Sequence, residues 1–536
     1  MTGRKEHAYI PTLKKRFAEG KIDRRRFMER ALALGLTIPA ASALWSSTTF
    51  AATPKRGGTF RVGVHDGNTT DSLDPATTLS IYMIELNHCI RNWLTEITEE
   101  NVVGPELAES WAASDDATIW TFKLRKGVEF HNGKPFTAED VVDSLNYHRG
   151  EDTKSPGKAL LESIEEIRAD DKYTVTIKLA IGNADLPYVL TDYHLVMMQS
   201  DGNGGVDTTS GIGTGGYVLG SHDPGVRTKC KRFANYWKEG RAHFDALDFT
   251  AINDPAALQS ALITDDVDAV SQLDLKTVSL LKRDPNIRVV EVPSGSHCTI
   301  PMFTDVAPFD NLDVRLALKY AIDREAILDK VQHGHGVVGN DHPIGPTLPY
   351  WADLPQRKYD PDKARFHLKK AGMEGLTVSL SSADAAFAGA VDLAVVYSES
   401  AKASGITINI VREPNDGYWS NVWLKKPFVV ASWGARPTPD VIFSLAYSAD
   451  AKWNEAHWKN ERFNKLLLVA RAELDNNKRA DMYRDMQMIV RDDGGTIVPF
   501  FRNYVYAHRK NVMHSDKLSG NWQLDGARAF ERWWFA

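Results

Sequence analysis

Stretches in which apolar and polar residues alternate predict β-strands along much of the chain. This period of two covers residues 59–64, 120–124, 173–179 and 406–410. Elsewhere apolar residues recur every three or four positions, which predicts amphipathic helices. Four helices are predicted. The first begins at the capping-box pair Thr137 and Asp140, and the second begins at Asn311 or Asp313 and runs past Val331. The third covers 362–370, and the fourth runs from about Asp475 to Asp493. The mixture predicts an α/β fold with several sheets.

Glycines in segment 211–216 have the G-x-G-x-x-G spacing of dinucleotide-binding loops. Such a loop follows a strand and opens a helix, whereas residues 217–219 (Tyr-Val-Leu) are typical of a strand. We therefore expect these glycines to serve a turn or a close crossing of two backbone segments, not a cofactor site.

Composition then narrows the classes of protein. The 536 residues correspond to about three or four domains at roughly 150 residues each. With 43% hydrophobic and 25% charged residues, the chain is neither disordered nor a disulfide-stapled mini-protein. A net charge of −6 argues against a nucleic-acid binder. Cys89, Cys230 and Cys298 allow at most one disulfide, and we expect each to be a small buried residue.

Motifs of catalytic, cofactor or metal sites are not found in the sequence. The G-x-S-x-G, H-E-x-x-H and P-loop patterns are missing, so we expect neither an enzyme nor a bound cofactor, with a secreted hydrolase as the less favoured alternative. His333, His335 and His342 form a local cluster. Because a glycine-rich loop does not preorganise ligands, a solvated loop is favoured there over a metal site.

Residues 1–51 have the three-part layout of an export signal. Residues 1–30 carry ten basic and four acidic side chains, a charge of +6, so the remainder of the chain carries −6 minus +6, or −12. The apolar run Ala31 to Trp45 is too short to span a membrane. Thr49-Phe50-Ala51 fits a small-x-small cleavage site.

The run Asp23-Arg24-Arg25-Arg26-Phe27 resembles a twin-arginine signal, with a basic patch ahead of an ordinary Sec signal as the alternative. Since no cysteine lies at the predicted cut, we expect a soluble periplasmic protein and not a lipoprotein.

Several segments of the mature chain share their order and sequence with a known family. They are Leu73-Asp74-Pro75, Leu107 to Trp111, Trp120 to Gly133, Pro135 to Val142, Gly213 to Tyr217, Pro308 to Arg324 and Tyr359 to Gly372. Together they resemble the bacterial extracellular solute-binding proteins of family 5, the peptide/nickel-type receptors of ABC transporters. Gly216 departs from the family pattern, which has proline at this position.

The resemblance implies a two-lobed periplasmic binding protein of type II, in the large class with three subdomains, whose lobes close on a hinge over a central cleft. The first lobe would be discontinuous, formed by 58–93, 211–294 and 498–536, with 94–210 as its inserted subdomain and 295–497 as the second lobe. The partners implied are a small organic solute and the ABC permease subunits of the inner membrane, and a monomer is expected.

The resemblance also places a ligand site around Arg436. In dipeptide binders of the family, an aspartate shortly after a tryptophan of the second lobe holds the ligand's ammonium, and Arg436 stands there after Trp433. The arginine that clamps the carboxylate would lie near 383–387, where this chain has none. A usual dipeptide is therefore not expected. Arg436 either pairs with an anionic group of the solute or pairs with a neighbouring aspartate at the lobe rim.

Aromatic and polar residues in the segments that line the cleft in relatives are the other candidates. They are Trp433, Trp419, Tyr418, Trp453, Asn454, Thr78, Tyr82 and His297. The rings either bury apolar or sugar-like surface of the solute or pack in the core. The predicted cargo is a peptide-like or other amphiphilic organic solute with an anionic group, with an opine or sugar conjugate and a metal chelate as alternatives.

Overall fold

A computed structural model describes residues 54–415 and 417–536. The predicted export signal, including the twin-arginine run and the cleavage site, lies outside the described residues. The strands are, in chain order, β1 (Thr59–Val64), β2 (Thr95–Ile97), β3 (Val103–Pro105), β4 (Ala108–Ala113), β5 (Ile119–Leu124), β6 (Ile164–Asp171), β7 (Thr174–Leu179), β8 (Tyr217–Asp223), β9 (Arg227–Arg232), β10 (Ala246–Ala251), β11 (Ala269–Val270), β12 (Ile287–Pro301), β13 (Gly336–Val338), β14 (Thr377–Ser382), β15 (Thr407–Arg412), β16 (Ala431–Trp433), β17 (Thr496–Ile497), β18 (Phe500–Arg509), β19 (Val512–Met513) and β20 (Trp534–Phe535).

Helices alternate with these strands. They are α1 (Ile81–Ile90), α2 (Ala138–Tyr147), α3 (Gly157–Leu160), α4 (Leu186–Val189), α5 (Pro255–Ile263), α6 (Val278–Leu281), α7 (Leu312–Tyr320), α8 (Arg324–Gln332), α9 (Pro361–Ala371), α10 (Ala390–Lys402), α11 (Tyr418–Asn421), α12 (Pro439–Ala446), α13 (Glu461–Ala472), α14 (Asn476–Asp493), α15 (Gln523–Ala527) and α16 (Ala529–Arg532), with a 3-10 turn at Pro75–Thr77.

The largest sheet runs in the order β16-β12-β18-β11-β1-β10-β9-β8. Strand β1 is parallel to β10 and β11, and the other neighbours in this order are antiparallel. The long pair β12 and β18 is in register from Ile287↔Arg509 to Pro293↔Asn503, and its register then shifts before His297↔Phe501. Beyond that shift β12 pairs with β16. These two strands therefore pass from the first lobe into the second, where a hinge is expected.

Strands β4-β5-β7-β6 form a separate antiparallel sheet within the range 94–210. Helix α2 packs on it, and Asp140 accepts hydrogen bonds from the backbone N and the hydroxyl of Thr137 at the start of the helix. The apolar core of this subdomain runs from Leu94 to Met197, and Val441 of α12 in the second lobe joins it. The inserted subdomain therefore packs against the second lobe through apolar contacts.

The second lobe has two apolar clusters. The first surrounds the parallel pair β14 and β15 with helices α7 to α10. The second is formed chiefly by α12, α13 and α14 together with Trp433 and Trp458. Because β16 leads from the hinge sheet directly towards α12, the segment between them lies at the junction of the two lobes.

Local patterns predicted several of these elements, and one prediction was wrong. The strands at β1, β5, β7 and β15 and the helices α2, α9 and α14 are confirmed. The single helix predicted from about Asn311 past Val331 is two helices, α7 and α8. Asp323 adopts an extended conformation between them, and its side chain accepts a hydrogen bond from Ala326 N at 2.9 Å. An N-cap inside the apolar repeat thus ends one helix and begins the next.

The glycine segment 211–216 is confirmed as a close crossing of backbone. A Cβ atom on Gly213 would lie 2.1 Å from the carbonyl oxygen of Ile90, at the end of α1. A Cβ atom on Gly215 would lie 2.4 Å from the carbonyl carbon of the same residue. Only glycine fits at these distances, so the motif fixes the approach of β8 to α1 and has no dinucleotide role.

A buried network of charges joins the inserted subdomain to the C-terminal segment. Glu106 accepts hydrogen bonds from Arg528 at 2.7 Å and from Lys238 at 2.9 Å. Glu96 pairs with both cations, at 3.0 and 2.9 Å, and Glu531 lies 3.1 Å from Lys238. Each member of this junction network has a partner of opposite charge. Such pairing is what allows ionised groups to be buried.

Two further features concern cysteines and membranes. The three cysteines are free and buried. Across the two described ranges, no helix has both the length and the apolar character that crossing a membrane requires.

Candidate functional site

Two adjoining pockets open where the second lobe meets the first lobe and its inserted subdomain. The first, of about 380 Å³, is lined by Leu160, Tyr188, Val189, Thr191, Asp192, Tyr193, Ala435, Arg436, Pro437, Val441, Asn521 and Trp522. The second, of about 320 Å³, is lined by Ile97, Asn101, Gly295, Thr347, Leu348, Ala435, Arg436, Pro437, Gly520 and Asn521. The residues common to both lie around Arg436, so this side chain separates the two pockets.

Arg436 is held in the loop between β16 and α12. Thr438 caps α12 through its hydroxyl, and Pro439 takes the first helical position, so the loop ends at a fixed point. The guanidinium lies 5.6 Å from the centre of the Trp433 ring and donates to the carbonyl oxygens of Gly434 and Ala435, at 3.3 and 3.0 Å. No carboxylate of the described residues lies within ion-pair distance of it. The rim aspartate that could have paired with Arg436 is therefore not in contact.

Asp192 lines the opposite wall of the first pocket. Burial opposes its ionisation, but His194, whose Nδ1 lies 2.7 Å away, and then the charge of Arg436 lower the pKa of Asp192 overall. The neighbouring Tyr193 makes an edge contact with Trp522 at 5.5 Å between ring centres, and burial raises the pKa of its hydroxyl. This wall therefore combines an ionised carboxylate with aromatic surface.

Tryptophan rings of the second lobe lie beside Arg436. The centre of the Trp433 ring lies 6.2 Å from that of Trp423 and 5.9 Å from that of Trp453. Trp423 donates to the buried carboxyl of Glu455 at 2.8 Å, and burial raises the pKa of that carboxyl. Trp419 continues the group outwards and is 43% exposed. Of these, Trp433 is the ring that supports Arg436.

Two first-lobe candidates, Thr78 and Tyr82, lie away from both pockets. Tyr82 is fully buried, and its hydroxyl donates to Thr228 at 2.8 Å. The hydroxyl of Thr78 accepts from Asn87 at 3.1 Å, also inside the lobe. Both side chains have hydrogen-bond partners within the lobe and neither lines these two pockets, so their contact with the solute stays a prediction.

Two second-lobe candidates are also satisfied internally. Tyr418 is 1% exposed, and its hydroxyl donates to the carbonyl oxygen of Val430 at 2.6 Å. Asn454 donates to the carbonyl oxygen of Trp458 at 2.7 Å and fixes the turn before α13. Neither lines a pocket. The aromatic and amide signals that suggested them belong to the lobe's own folding.

His297 lies on β12 opposite Trp433 in the sheet register. Its Nδ1 lies 3.0 Å from the carbonyl oxygen of Gly295, and its buried Nε2 has no hydrogen-bond partner among the described residues. Burial lowers the pKa of His297 to about 4, and the charges of Arg502 and Arg436 act in the same direction. The imidazole is therefore neutral at neutral pH.

Arg502 on β18 is a residue that the sequence reasoning missed. Its guanidinium donates to the hydroxyl of Ser296 at 2.8 Å and lies 5.4 Å from the centre of the Phe387 ring. Phe387 ends the range 383–387 in which the resemblance implies an arginine. The sequence did contain a signal for Arg502. This charged residue stands between the apolar run 497–501 and the apolar and aromatic run that begins at Tyr504.

The inserted subdomain and the second lobe also share a buried ion pair. Asp185 lies 2.8 Å from Arg479 of α14, and neither side chain is more than 5% exposed. Next to it, the backbone N of Ala184 donates to the carbonyl oxygen of Arg471 at 2.7 Å. These contacts hold the two lobes against each other beside the first pocket.

The histidine cluster separates in the fold. His335 pairs with Glu291 at 3.0 Å, while His342 is buried next to Asp341. Within the described ranges, no group of three or more histidine, cysteine, aspartate or glutamate side chains is placed to hold a metal ion.

Comparison with known proteins gives a consistent set of similarities. A family model for bacterial extracellular solute-binding proteins, family 5 Middle, matches residues 102–455. The dipeptide-binding protein of Escherichia coli strain K12 is 27% identical over 444 residues, covering 74% of this chain and 80% of that protein. Heme-binding protein A of Haemophilus influenzae is 28% identical over 442 residues, covering 72% and 77%.

Solved structures show the same fold. The periplasmic binding protein AgaA from A. tumefaciens R10, in complex with agropinic acid, has a TM-score of 0.77 at 22% identity and covers 89% of this chain and 99% of its own. DppA from Helicobacter pylori, in complex with the peptide STSA, has a TM-score of 0.77 at 22% identity, with 90% and 99% covered.

Proposed function

Because the chain belongs to the bacterial extracellular solute-binding proteins of family 5, we propose that its interlobe cleft captures a peptide-like or other amphiphilic organic solute through an anionic group. Proteins of this family are periplasmic solute receptors of ABC transporters, which deliver their solute to permease subunits, and they are not enzymes. The hydrolase alternative is therefore set aside. The identity of the solute and the residues that hold it are the proposal.

The observation that carries the proposal is that Arg436 lines the cleft and has no carboxylate of the described residues within ion-pair distance. A guanidinium offers a planar fork of donors that matches a carboxylate or phosphate. Here part of the fork is bound to backbone oxygens, and the ring of Trp433 fixes its plane. Because Arg436 lines both pockets and its other donors have no partner among the described residues, an anionic group is the solute feature that this position favours.

Aromatic surface supports the organic part of the solute. Tyr193 and Trp522 line the first pocket on the side opposite Arg436, and Trp433 lies under the guanidinium. Flat rings bury apolar atoms while leaving polar edges available, so a solute with apolar portions fits between these walls. An opine or sugar conjugate with an acidic group would satisfy the same contacts and is the second candidate cargo.

Capture would be completed by lobe closure on the hinge formed by β12 and β18. A ligand shifts such an equilibrium only by the contacts it makes better in the closed state. A solute bridging Asp192 or Tyr193 of one wall and Arg436 of the other makes such contacts, because these residues belong to different lobes.

We further propose export by the twin-arginine route, as the run Asp23 to Phe27 suggests. Replacing Arg24, Arg25 and Arg26 by lysine should then stop export.

The test is native mass spectrometry of the protein purified from its own periplasm, with wild type and Arg436→Ala compared. We expect wild type to carry a solute with an acidic group, and the alanine variant to bind that solute about 10- to 100-fold more weakly. Arg462→Ala is the matched control, because Arg462 pairs with Asp485 on the exposed face of α13. Undiminished binding by Arg436→Ala would overturn the role of Arg436.

A further inference from the structure

Arg502 is a second arginine near the cleft that has no carboxylate partner. Among the described residues its side chain makes one hydrogen bond, to the Ser296 hydroxyl at 2.8 Å, and one ring contact, to Phe387. The side chain keeps part of its surface accessible while protein surrounds it on most sides. Burial lowers the pKa of Arg502, as expected for a desolvated cation without a counter-ion.

This arrangement departs from that of most buried arginines among the described residues. Arg324, Arg357, Arg479 and Arg528 each have a carboxylate oxygen within 2.9 Å, and Arg532 and Arg315 have one at 3.2 and 3.5 Å. Arg91 also lacks a carboxylate, but it is fully enclosed and donates to a backbone and an amide oxygen. An uncompensated cation in a desolvated site is costly. At Arg502 the described residues supply no counter-ion, and an anion reaching the accessible part of the side chain would supply one.

Arg502 and Arg436 flank the same short stretch of β12. The Ser296 hydroxyl that accepts from Arg502 itself donates to the carbonyl oxygen of Trp433 at 2.9 Å, and the ring of Trp433 lies under Arg436. Gly295, one residue earlier, lines the second pocket together with Arg436. The two guanidinium groups are therefore linked through one hydroxyl and one tryptophan, on adjacent strands.

The residues between Arg436 and Arg502 lie within range of the positive charge of both guanidinium groups. His297 lies beside both arginines, and the charges of Arg502 and Arg436 add to burial in lowering its pKa. Tyr504 likewise lies within range of both charges. Because His297 is neutral at neutral pH, it adds no positive charge to those of Arg436 and Arg502.

We propose that Arg502, which lines neither pocket itself but donates to Ser296 next to the pocket-lining Gly295, forms a second anion-binding site at the edge of the cleft, so that the captured solute is an organic acid with two separate carboxylate groups. One carboxylate binds Arg436 and the other binds Arg502. A solute with a single carboxylate would leave one desolvated guanidinium without a counter-ion, and is bound less tightly for that reason. The inference rests on the proposed function, since it requires that a solute is captured at Arg436.

The test compares probes that differ by one charge at nearly constant shape. Ala-Glu and N-acetyl-glutamate carry two carboxylates, and Ala-Gln and N-acetyl-glutamine carry one. Each is titrated calorimetrically into wild type, Arg502→Met, Arg502→Lys and the control Arg462→Met, and any solute released from the natively purified protein is identified by mass spectrometry. We expect wild type to prefer the two-carboxylate probes by about 10- to 100-fold, and Arg502→Met to lose that preference.

Unfolding without added probe separates a binding role from a structural role. Methionine at position 502 removes an unpaired buried charge at similar volume, so the unliganded variant should melt at the same temperature as wild type or higher. A clearly lower melting temperature would assign Arg502 to the fold and overturn the inference. Arg502→Lys keeps the charge without the fork, and we expect it to retain an intermediate preference.

Each remaining outcome decides between the two proposals. If wild type binds one- and two-carboxylate probes equally, or releases a native solute with a single acidic group, the second site is wrong and the proposed capture stands. If no probe binds and the natively purified protein releases no solute, the proposed function itself fails, and the inference fails with it.

Discussion

The junction network contains a buried arginine with counter-ions from the chain, whereas the cleft contains half-buried arginines without them. Arg528 lies among three glutamates behind the inserted subdomain, and two of them are within 3.0 Å of its guanidinium. Arg436 and Arg502 hydrogen-bond to carbonyl and hydroxyl oxygens, and no carboxylate of the described residues lies within ion-pair distance of either guanidinium; Asp192 lines the first pocket with Arg436 but does not pair with it. The difference teaches that burial alone does not identify a binding cation. The informative feature is whether the chain supplies the counter-ion.

Breaking the junction network should have the largest effect. Arg528→Met leaves the carboxylates of Glu96 and Glu106 in a buried site with less compensating charge. We expect unfolding free energy to fall by about 3–5 kcal/mol, measured by urea denaturation. Arg462→Met, at an exposed pair, should change it by less than about 0.5 kcal/mol. A loss below about 1 kcal/mol for Arg528→Met would remove the contrast between the two regions.

Acidification tests whether His297, which lies near Arg436 and Arg502, is neutral in the folded protein. His297 binds its proton near pH 4 in the folded chain and near pH 6.5 when unfolded. Between these values the unfolded chain holds more protons, so stability falls as the pH is lowered from 6.5 to 4. We expect wild type to lose up to about 3 kcal/mol more than His297→Gln over this window. An imidazole that titrates near pH 6.5 by NMR would contradict the prediction.

Arg436→Ala tests whether an arginine of the cleft contributes to solute affinity and not to stability. Because Arg436 has no ion pair to lose, the unliganded variant should keep its unfolding free energy to within about 0.5 kcal/mol. Solute affinity should nevertheless fall by about 1.5–3 kcal/mol, the range for a hydrogen bond to a charged group. Parallel urea denaturation and calorimetry report the two quantities, and a variant that loses stability more than affinity would place Arg436 with the structural arginines.

The smallest effect is expected at Trp419. Its ring is 43% exposed and lines neither pocket. Trp419→Ala should therefore change stability by less than about 1 kcal/mol and solute affinity by less than twofold. Calorimetry alongside Arg436→Ala checks this, and a loss of affinity comparable to that of Arg436→Ala would extend the site outwards along the tryptophans.

Local order along the chain made much of the fold predictable. The period-two strands and capped helices depend on neighbouring residues, and β1, β5 and α14 lie where those patterns put them. The break at Asp323 was missed because the apolar repeat continues through it, while the cap that interrupts the helix depends on one side chain. Capping and periodicity compete at such positions, and the repeat alone does not decide the outcome.

The site was less predictable because its parts come together through the tertiary structure. Arg436 could be suspected from its position after Trp433. The contact between Arg502 and Ser296 joins residues 206 positions apart, through the pairing of two hinge strands. Tyr418 and Asn454 have the residue types of a binding site, but their hydrogen bonds go to their own lobe. The sequence shows which residue types are present, whereas the tertiary packing decides whether a side chain points into the cleft or into its own lobe.

Residues 521–528 contribute both to the pocket wall and to the junction network, so solute binding depends on them. Asn521 and Trp522 form part of the pocket wall, and Arg528 completes the junction network behind it. A chain still under synthesis therefore has neither the finished wall nor the charges that secure the inserted subdomain. Solute recognition therefore requires residues 521–528 to be made and folded in addition to the second lobe. Truncation by about fifteen residues should thus abolish binding even though every residue of the second lobe is present.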